Sequence, residues 1–497
     1  MSFTLTVTLL SIAVSALYFW IRRRFQFFKE NGFPFERPTF PFGNLKGVGR
    51  NFHQVYKIKE LYEKFKGKAP AFGIYFFVSP NVVVTDLELV KNVLVRDFDN
   101  FHNRGLFFNE KDDPLGAQLF TIEDAEWKKM RGKLTPTFTS GKMKMMFETV
   151  VEIADLMKKQ FEKNSQSGVI EVKEALASFT TDVIGNVAFG LEMNSISDPD
   201  AKFRQMGKKI FELGTNTQIK ILLMTSFRNL ARKLHMTLFP KEVADFFVTT
   251  IRETVKYRQE KNIQRNDVMN LLMNLLDTSG TDSEDKITLN ELAANCFVFF
   301  FAGFETSSSL STFVLYALSI NNEIQEQLRN EITNVLANHG GKLTYEGMQE
   351  MKYLQMVIDE TLRMYGPIFQ LLRKASSDYK IPGSNLVIQK GTLVLIPTYS
   401  IHMDPDNYPQ PEKFDPNRFS DENKEKRHPM AFLPFGSGPR NCIGLRFGLM
   451  QTKIALIKLL ASYKFSPSSR TTIPMRFHNK SLVLAPPDGM WLKVEKL

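Results

Sequence analysis

Residues 435–444 read Phe435-Gly436-Ser437-Gly438-Pro439-Arg440-Asn441-Cys442-Ile443-Gly444, and this run governs how the rest of the chain is read. Two glycines and a proline force a tight loop. The stretch after it, IGLRFGLMQTKIALIKLL from Ile443, carries the helical period. Cys442 is therefore expected to open a helix, where the dipole and the unpaired backbone N–H groups favour its thiolate. A thiolate ligates iron, and N–H donation to the sulfur tunes its electron release. A bare cysteine in a glycine loop would suit a buried structural thiol equally well; the ten residues together carry more than that.

The pattern resembles the haem-binding signature of the cytochrome P450 superfamily, in which a cysteine thiolate holds the haem iron. The other motifs of that superfamily occur in the expected order. Near residue 300 an apolar helical run, CFVFFFAGFETSSSLSTF, is interrupted by Ala302-Gly303-Phe304-Glu305-Thr306. A core helix with a polar patch is the plain reading, yet an acid beside a hydroxyl amid so much Phe is costly without a partner or a role. Small Ala302 and Gly303 would let a flat cofactor and a diatomic ligand approach the backbone. The resemblance identifies this as the oxygen-activation motif, with Thr306, helped by Glu305, donating a hydrogen bond to oxygen and relaying protons. Cys296, about two turns earlier, reads as packing.

Glu360 and Arg363 stand at i and i+3, on one helix face, and the segment FDPNRF supplies Arg418. The resemblance implies a structural Glu–Arg–Arg network of Glu360, Arg363 and Arg418. It also implies that Trp127, Arg131, Arg104, Arg373 and Arg440 bind the two haem propionates, which need cationic partners when buried. Phe435, Ala302 and Gly303 would line the cofactor. Substrate would meet Phe107, Phe108, Phe120, Phe301, Ile368, Phe369, Val483 and Leu484, all apolar, as a pocket for lipophilic molecules requires. Any one of these Phe, taken singly, is as well explained as core.

Most of the body has helical periodicity, as in Val151–Phe161, Leu292–Ile320, Ile324–Leu336, Met351–Tyr365 and Ile443–Tyr463. Strand-like stretches are short: Ala71–Val84, Ile381–Val387, Thr392–Ile396 and the last twenty residues. The expected fold is mainly α with a minor β-sheet region, one large haem-thiolate domain over residues 50–497 with the cytochrome P450 fold. Residues 1–21 carry no charge and precede Arg22-Arg23-Arg24. Phe3–Ile21 as a helix would be roughly 28 Å long, enough for a bilayer core, and the arginines place the body of the chain on the cytosolic side. A cleaved signal peptide ending near Ala16 is the rival, but no positive segment precedes the apolar stretch. Residues 22–49, with Pro34, Pro38 and Pro41, read as a stiff connector.

Lys and Arg number 64 against 53 Asp and Glu, a net +11. The charges are dispersed and no nucleic-acid motif is present, so a membrane or an acidic protein partner is expected and nucleic acid is not. Two cysteines do not make a disulfide scaffold. The chain holds 44 Phe, which suits large apolar surfaces inside or against lipid. The segment SFRNLARKLHMTLFPKEV is amphipathic and reads as a dip into the headgroup region near a substrate entrance.

No nucleotide-binding glycine fingerprint is found. The resemblance therefore implies electrons from a separate NADPH-dependent cytochrome P450 reductase, with cytochrome b5 as a further donor, and Lys128, Lys129, Lys133 and Arg446 as a basic docking face. It also implies haem b, an endoplasmic reticulum location, and kinship with the animal microsomal branch that includes the family-3 drug and steroid hydroxylases. Monooxygenation of a lipophilic substrate is the leading reading. A thiolate-haem isomerase or dehydratase, which needs neither oxygen nor reductase, and a non-catalytic haem-binding membrane protein are the alternatives.

Overall fold

The computed structural model describes residues 3–165, 168–198, 200–211, 215–265, 267–276 and 286–497. Its centre is the helix Leu289–Ser319. Thr288 starts it with a capping box: the Thr288 hydroxyl accepts the Glu291 N–H, and the Glu291 carboxylate accepts the Thr288 N–H. The helix is apolar nearly all round and accordingly buried nearly all round. Helices Val172–Ile184, Lys241–Glu260, Lys352–Tyr365 and Leu445–Leu460 pack against it. It is long and apolar enough to cross a membrane, but 78% of its most apolar window is covered by the rest of the protein. It is a core helix.

The sheet material is small and draws on both ends of the chain. Ala71–Phe76 and Ser79–Val84 form a hairpin, with Ala71 opposite Val84 and Phe76 opposite Ser79. Leu393–Ile396 runs parallel to Ser79–Val84, and Leu371–Lys374 closes the sheet antiparallel to it. Both faces are covered. Phe72, Ile74, Val83 and Leu395 point into one cluster, and Tyr75, Val82, Val84, Val394 and Ile396 into another. Burial on both faces explains why these strands read as continuous apolar runs. A second sheet joins Val169–Glu171, Trp491–Lys496 and Tyr463–Pro467.

The N-terminal helix spans Phe3–Arg24. The apolar stretch Phe3–Glu30 meets the length and hydropathy of a membrane span with only 6% of its window buried. Residues beyond it do not form a free connector. Phe28 is fully buried, Glu36 N–H donates to the Gly73 carbonyl and Asn44 N–H to that of Tyr75. The segment expected as an extended connector, residues 22–49, is helical to Arg24 and again over Phe27–Glu30, and beyond Asn31 it lies along the hairpin and bonds its backbone to it. The expected strand over Ile381–Val387 is also displaced: a turn occupies it, flanked by two-residue strands at Tyr379–Lys380 and Val387–Ile388.

Candidate active site

The cysteine loop is held shut by the Cys442 N–H donating to the Phe435 carbonyl at 2.9 Å and the Asn441 N–H to that of Gly438 at 3.1 Å. Gly438 has φ of 72°, and a Cβ there would lie 1.9 Å from the Leu94 carbonyl oxygen. Conformation and space both demand glycine. The helix begins at Leu445 with Gly444 as its N-cap, so Cys442 precedes the first turn instead of opening it. Burial pushes its thiol up. The Gly444 N–H, Arg131 and Arg104 oppose that push without overcoming it. The expectation that a helix end would by itself favour the thiolate is thus corrected: desolvation is the larger effect. A metal's own charge deprotonates a coordinating thiol outright.

Cys442 retains accessible surface although protein surrounds it at longer range, so its open side faces inward. Ala302 is likewise exposed, midway along a helix that is buried nearly all round. Around the cysteine stand the guanidinium groups of Arg131, Arg104, Arg440 and Arg373. Arg131 donates to the Asn441 carbonyl and side-chain oxygens at 3.0 and 2.9 Å. Arg104 donates to the Phe120 and Arg440 carbonyls, each at 3.0 Å, with its guanidinium 4.3 Å from the Phe120 ring centre. Arg440 lies 4.1 Å from the centre of the Trp127 ring and donates to the His102 and Ile122 carbonyls.

These cations are held together against their charge. Burial, then Arg373, Arg440 and Arg131, drive Arg104 well below its ordinary value. Arg373 is pushed down to about 10 by burial, and Arg440 to about 9 by burial and then Arg373. Arg373 Nε and Arg440 Nη1 are buried without a hydrogen-bond partner among the described residues. An unmatched buried donor on a cation costs on the order of 1–3 kcal/mol or more. The arrangement fits a buried ligand bearing two carboxylates. No group of three or more His, Cys, Asp or Glu among the described residues could hold a metal ion, so a metal at Cys442 would bring its other ligands with it. A porphyrin does so, and its propionates match the orphaned donors.

The central helix forms the opposite wall. Thr306 Oγ1 donates to the Ala302 carbonyl at 2.6 Å. Glu305 is paired with Lys173 at 2.8 Å, its side chain only 8% exposed, so the cost expected for this acid is met by a lysine from a neighbouring helix. The hydrogen face of Gly303 is taken by Ile184, whose Cδ1 would lie 2.5 Å from a Cβ. Helix packing, rather than cofactor approach, accounts for that glycine. Gln451, on the helix after the cysteine, donates to the Gly303 carbonyl at 3.1 Å and to Ser307 Oγ at 2.7 Å. It ties the two walls together, and nothing in the sequence announced it or Lys173, because both meet the motif only through tertiary packing.

The expected substrate residues divide. Phe120 and Ile368 are exposed; Phe301 is half-buried and stacked on Phe211 at 4.9 Å. Phe369 is half-buried edge-on to His53, and the Phe108 ring is covered by Arg232 at 5.2 Å. Phe107, Val483 and Leu484 are not open to a ligand. Phe107 packs under Met224 and Ala231, while Val483 and Leu484 are 3% and 0% exposed. In the last loop the open side chain is Leu482, one residue earlier: the Leu484 N–H donates to the Pro367 carbonyl, which fixes the loop's facing.

Glu360 and Arg363 are both fully buried and joined twice, at 2.7 and 2.8 Å. Glu360 also accepts the Asp415 N–H at 2.8 Å and has Arg418 at 3.5 Å. Arg363 donates to the His402 carbonyl at 3.0 Å, and His402 Nε2 accepts the Leu433 N–H at 2.9 Å. His402 therefore carries the network into the stretch of chain that becomes the cysteine loop. A lone histidine in an apolar stretch gave no sequence signal for this.

The chain matches the family model for cytochrome P450 over residues 33–493. It belongs to the cytochrome P450 family. Its similarity to curated members runs end to end: it is 44% identical to probable cytochrome P450 6a14 of Drosophila melanogaster, over 99% of both chains. It is 43% identical to cytochrome P450 6A1 of Musca domestica, over 98% of this chain and 96% of that one. These relatives are numbered in family 6, whereas the sequence motifs pointed toward the branch that includes family 3. The chain is a cytochrome P450 monooxygenase with haem b as its cofactor.

Proposed function

We propose that this cytochrome P450 inserts one atom of O2 into a lipophilic small molecule, a xenobiotic, a steroid or a fatty-acid-like compound. Its electrons come from a separate NADPH-dependent reductase, with cytochrome b5 as a further donor. It sits in the endoplasmic reticulum membrane by its N-terminal helix, catalytic domain toward the cytosol. The observation that carries the reading is the pair of facing walls, Cys442 in its glycine loop and Ala302–Thr306 on the central helix, joined through Gln451. Haem, when bound, supplies the iron redox chemistry that activates oxygen.

Cys442 Sγ would be the iron ligand, and Arg373 Nε and Arg440 Nη1 would take the propionates, with the Trp127 indole beside them. Thr306 Oγ1 now gives its proton to the Ala302 carbonyl; rotation about Cβ–Oγ turns that proton toward the chamber. Glu305 replenishes it only after loosening from Lys173, so that pair gates the relay. Phe120, Phe301, Ile368 and Leu482 offer apolar surface to the substrate. Exposed Lys128 and Lys129, with Arg446 bonded to Ser140, support a basic face for an acidic reductase; Lys133 is held by the Lys286 carbonyl. Exposed Leu230 and Leu234 support contact of that segment with lipid.

The test is the spectrum of the dithionite-reduced protein with carbon monoxide, followed by turnover with reductase and NADPH. A strongly red-shifted Soret band lost in Cys442→Ser, with substrate oxidation that needs both NADPH and O2, is expected. Rearrangement of a peroxide without either would point to the isomerase chemistry instead.

A further inference from the structure

Outside the haem site, a cleft of about 490 Å³ opens beside the segment 225–232. Phe227 on its wall stacks on Trp20 of the N-terminal helix, ring centres 6.0 Å apart. Apart from Leu230, the remaining wall is polar and cationic, with Ser226, Arg228, Arg232 and Lys374 against Glu123 as the single lining acid among the described residues. Glu123 is already engaged by Arg228 at 3.0 Å. Arg228 and Arg232 stand at i and i+4 on one short helix, a like-charged spacing that costs stability by itself. Burial and then Arg228 both disfavour the charge on Arg232. Lys374 makes no salt bridge among the described residues; the acid that feels its charge, Asp124, is already bonded to His102 and Asn103. Two donors are left over as well: Arg228 Nε and Ser226 Oγ are buried with no hydrogen-bond partner among the described residues.

We propose that this cleft binds a phosphate group carried by a membrane phospholipid, held by Arg228, Arg232, Lys374 and Ser226. Three cations against Glu123, committed to Arg228, and Asp124, committed to His102 and Asn103, leave a positive surplus that an anion with several acceptor oxygens satisfies, and guanidinium forks suit phosphate in particular. The source is set by place. Trp20 is the last aromatic residue of the apolar stretch Phe3–Ile21, one residue short of Arg22-Arg23-Arg24, where a bilayer's headgroups lie. Its contact with Phe227 sets the cleft at that level. The occupied cleft joins segment 225–232 to Lys374, and so to the strand Leu371–Lys374 that carries Arg373 toward the haem. Bound lipid thereby holds the substrate-entrance segment against the haem side of the protein. This rests on the membrane placement proposed above.

The experiment uses the full-length haem-loaded protein in lipid nanodiscs of phosphatidylcholine alone or with phosphatidic acid, and reads amide hydrogen exchange over residues 225–234. Co-elution with both discs reports the anchor separately from the cleft. The expected result is slower exchange in the phosphatidic acid discs. Arg232→Gln and Lys374→Gln should each reduce that protection by about tenfold, the worth of one charge-assisted hydrogen bond. Lys233→Gln removes an equal charge from an exposed side chain outside the cleft and should leave the protection intact. The carbon monoxide spectrum of each variant confirms that the fold is kept. Equal exchange in the two discs, or an equal loss in Lys233→Gln, overturns the proposal. Equal protection by inorganic phosphate in detergent overturns the lipid as its source.

Discussion

Replacing Arg373 by methionine should have opposite effects on the haem-free and the haem-loaded protein. Arg373 is 2% exposed, and burial holds it at about 10 against an ordinary 12.5. Keeping that charge inside costs on the order of 3 kcal/mol. Its Nη1 bond to the Leu372 carbonyl, 2.9 Å, returns about 1 kcal/mol. Methionine fills much of the same space without charge. The haem-free protein should therefore gain about 2 kcal/mol, a rise of roughly 2 °C in Tm for a domain this large. Once haem is bound, losing the contact proposed between Nε and a propionate would cost about 1.5–3 kcal/mol, so haem should leave on the order of 10–100 times faster. Calorimetry on the haem-free protein and haem transfer to a myoglobin acceptor read the two effects. A variant less stable without haem, or one that loses haem no faster, would refute the reasoning.

Three further outcomes are expected from the same geometry. His402 is pushed down to about 3, by burial and then by Arg363, so the fold requires its neutral form. Its stabilising contribution is complete above the unfolded value of 6.5 and is lost as pH falls toward 3. At pH 5 the loss is roughly 2 kcal/mol, and thermal melts from about pH 7.5 to 5 should flatten in His402→Gln, which keeps an acceptor for Leu433. Glu360→Gln leaves the fully buried Arg363 uncompensated and should cost about 3–5 kcal/mol in denaturant unfolding; a loss below about 1 kcal/mol would show that the pair is replaceable. Gly438→Ala should abolish haem incorporation, seen as loss of the carbon monoxide band, because its Cβ meets a backbone oxygen. Gly340→Ala, also at positive φ but with nothing within 4 Å, should cost only about 1 kcal/mol.

Much of this architecture was legible because it is local. The helical period placed the central helix over Leu292–Ile320, three residues inside its observed start at Leu289. The glycines around Cys442 announced a loop, since only a turn needs them. Glu360 and Arg363 share a helix face at i and i+3, and the arginines that gather around Cys442 were expected as a set from the resemblance. What failed was facing. Val483 and Leu484 are apolar in either orientation, and the backbone bond from Leu484 to Pro367, distant in the chain, turns them inward and leaves Leu482 open.

The sequence by itself determined the helical class, the apolar N-terminal helix, the cysteine loop and the polar break Ala302–Thr306 in an apolar run, because propensity, periodicity and turn chemistry act over a few neighbouring residues. Only the tertiary structure decided which charges meet. Glu305 answers to Lys173, Gly303 yields to Ile184, His402 is locked between Arg363 and Leu433, and burial lifts the Cys442 thiol despite the helix that comes after it. Desolvation and pairing depend on everything that surrounds a group in space, and those surroundings come from segments far apart in the chain.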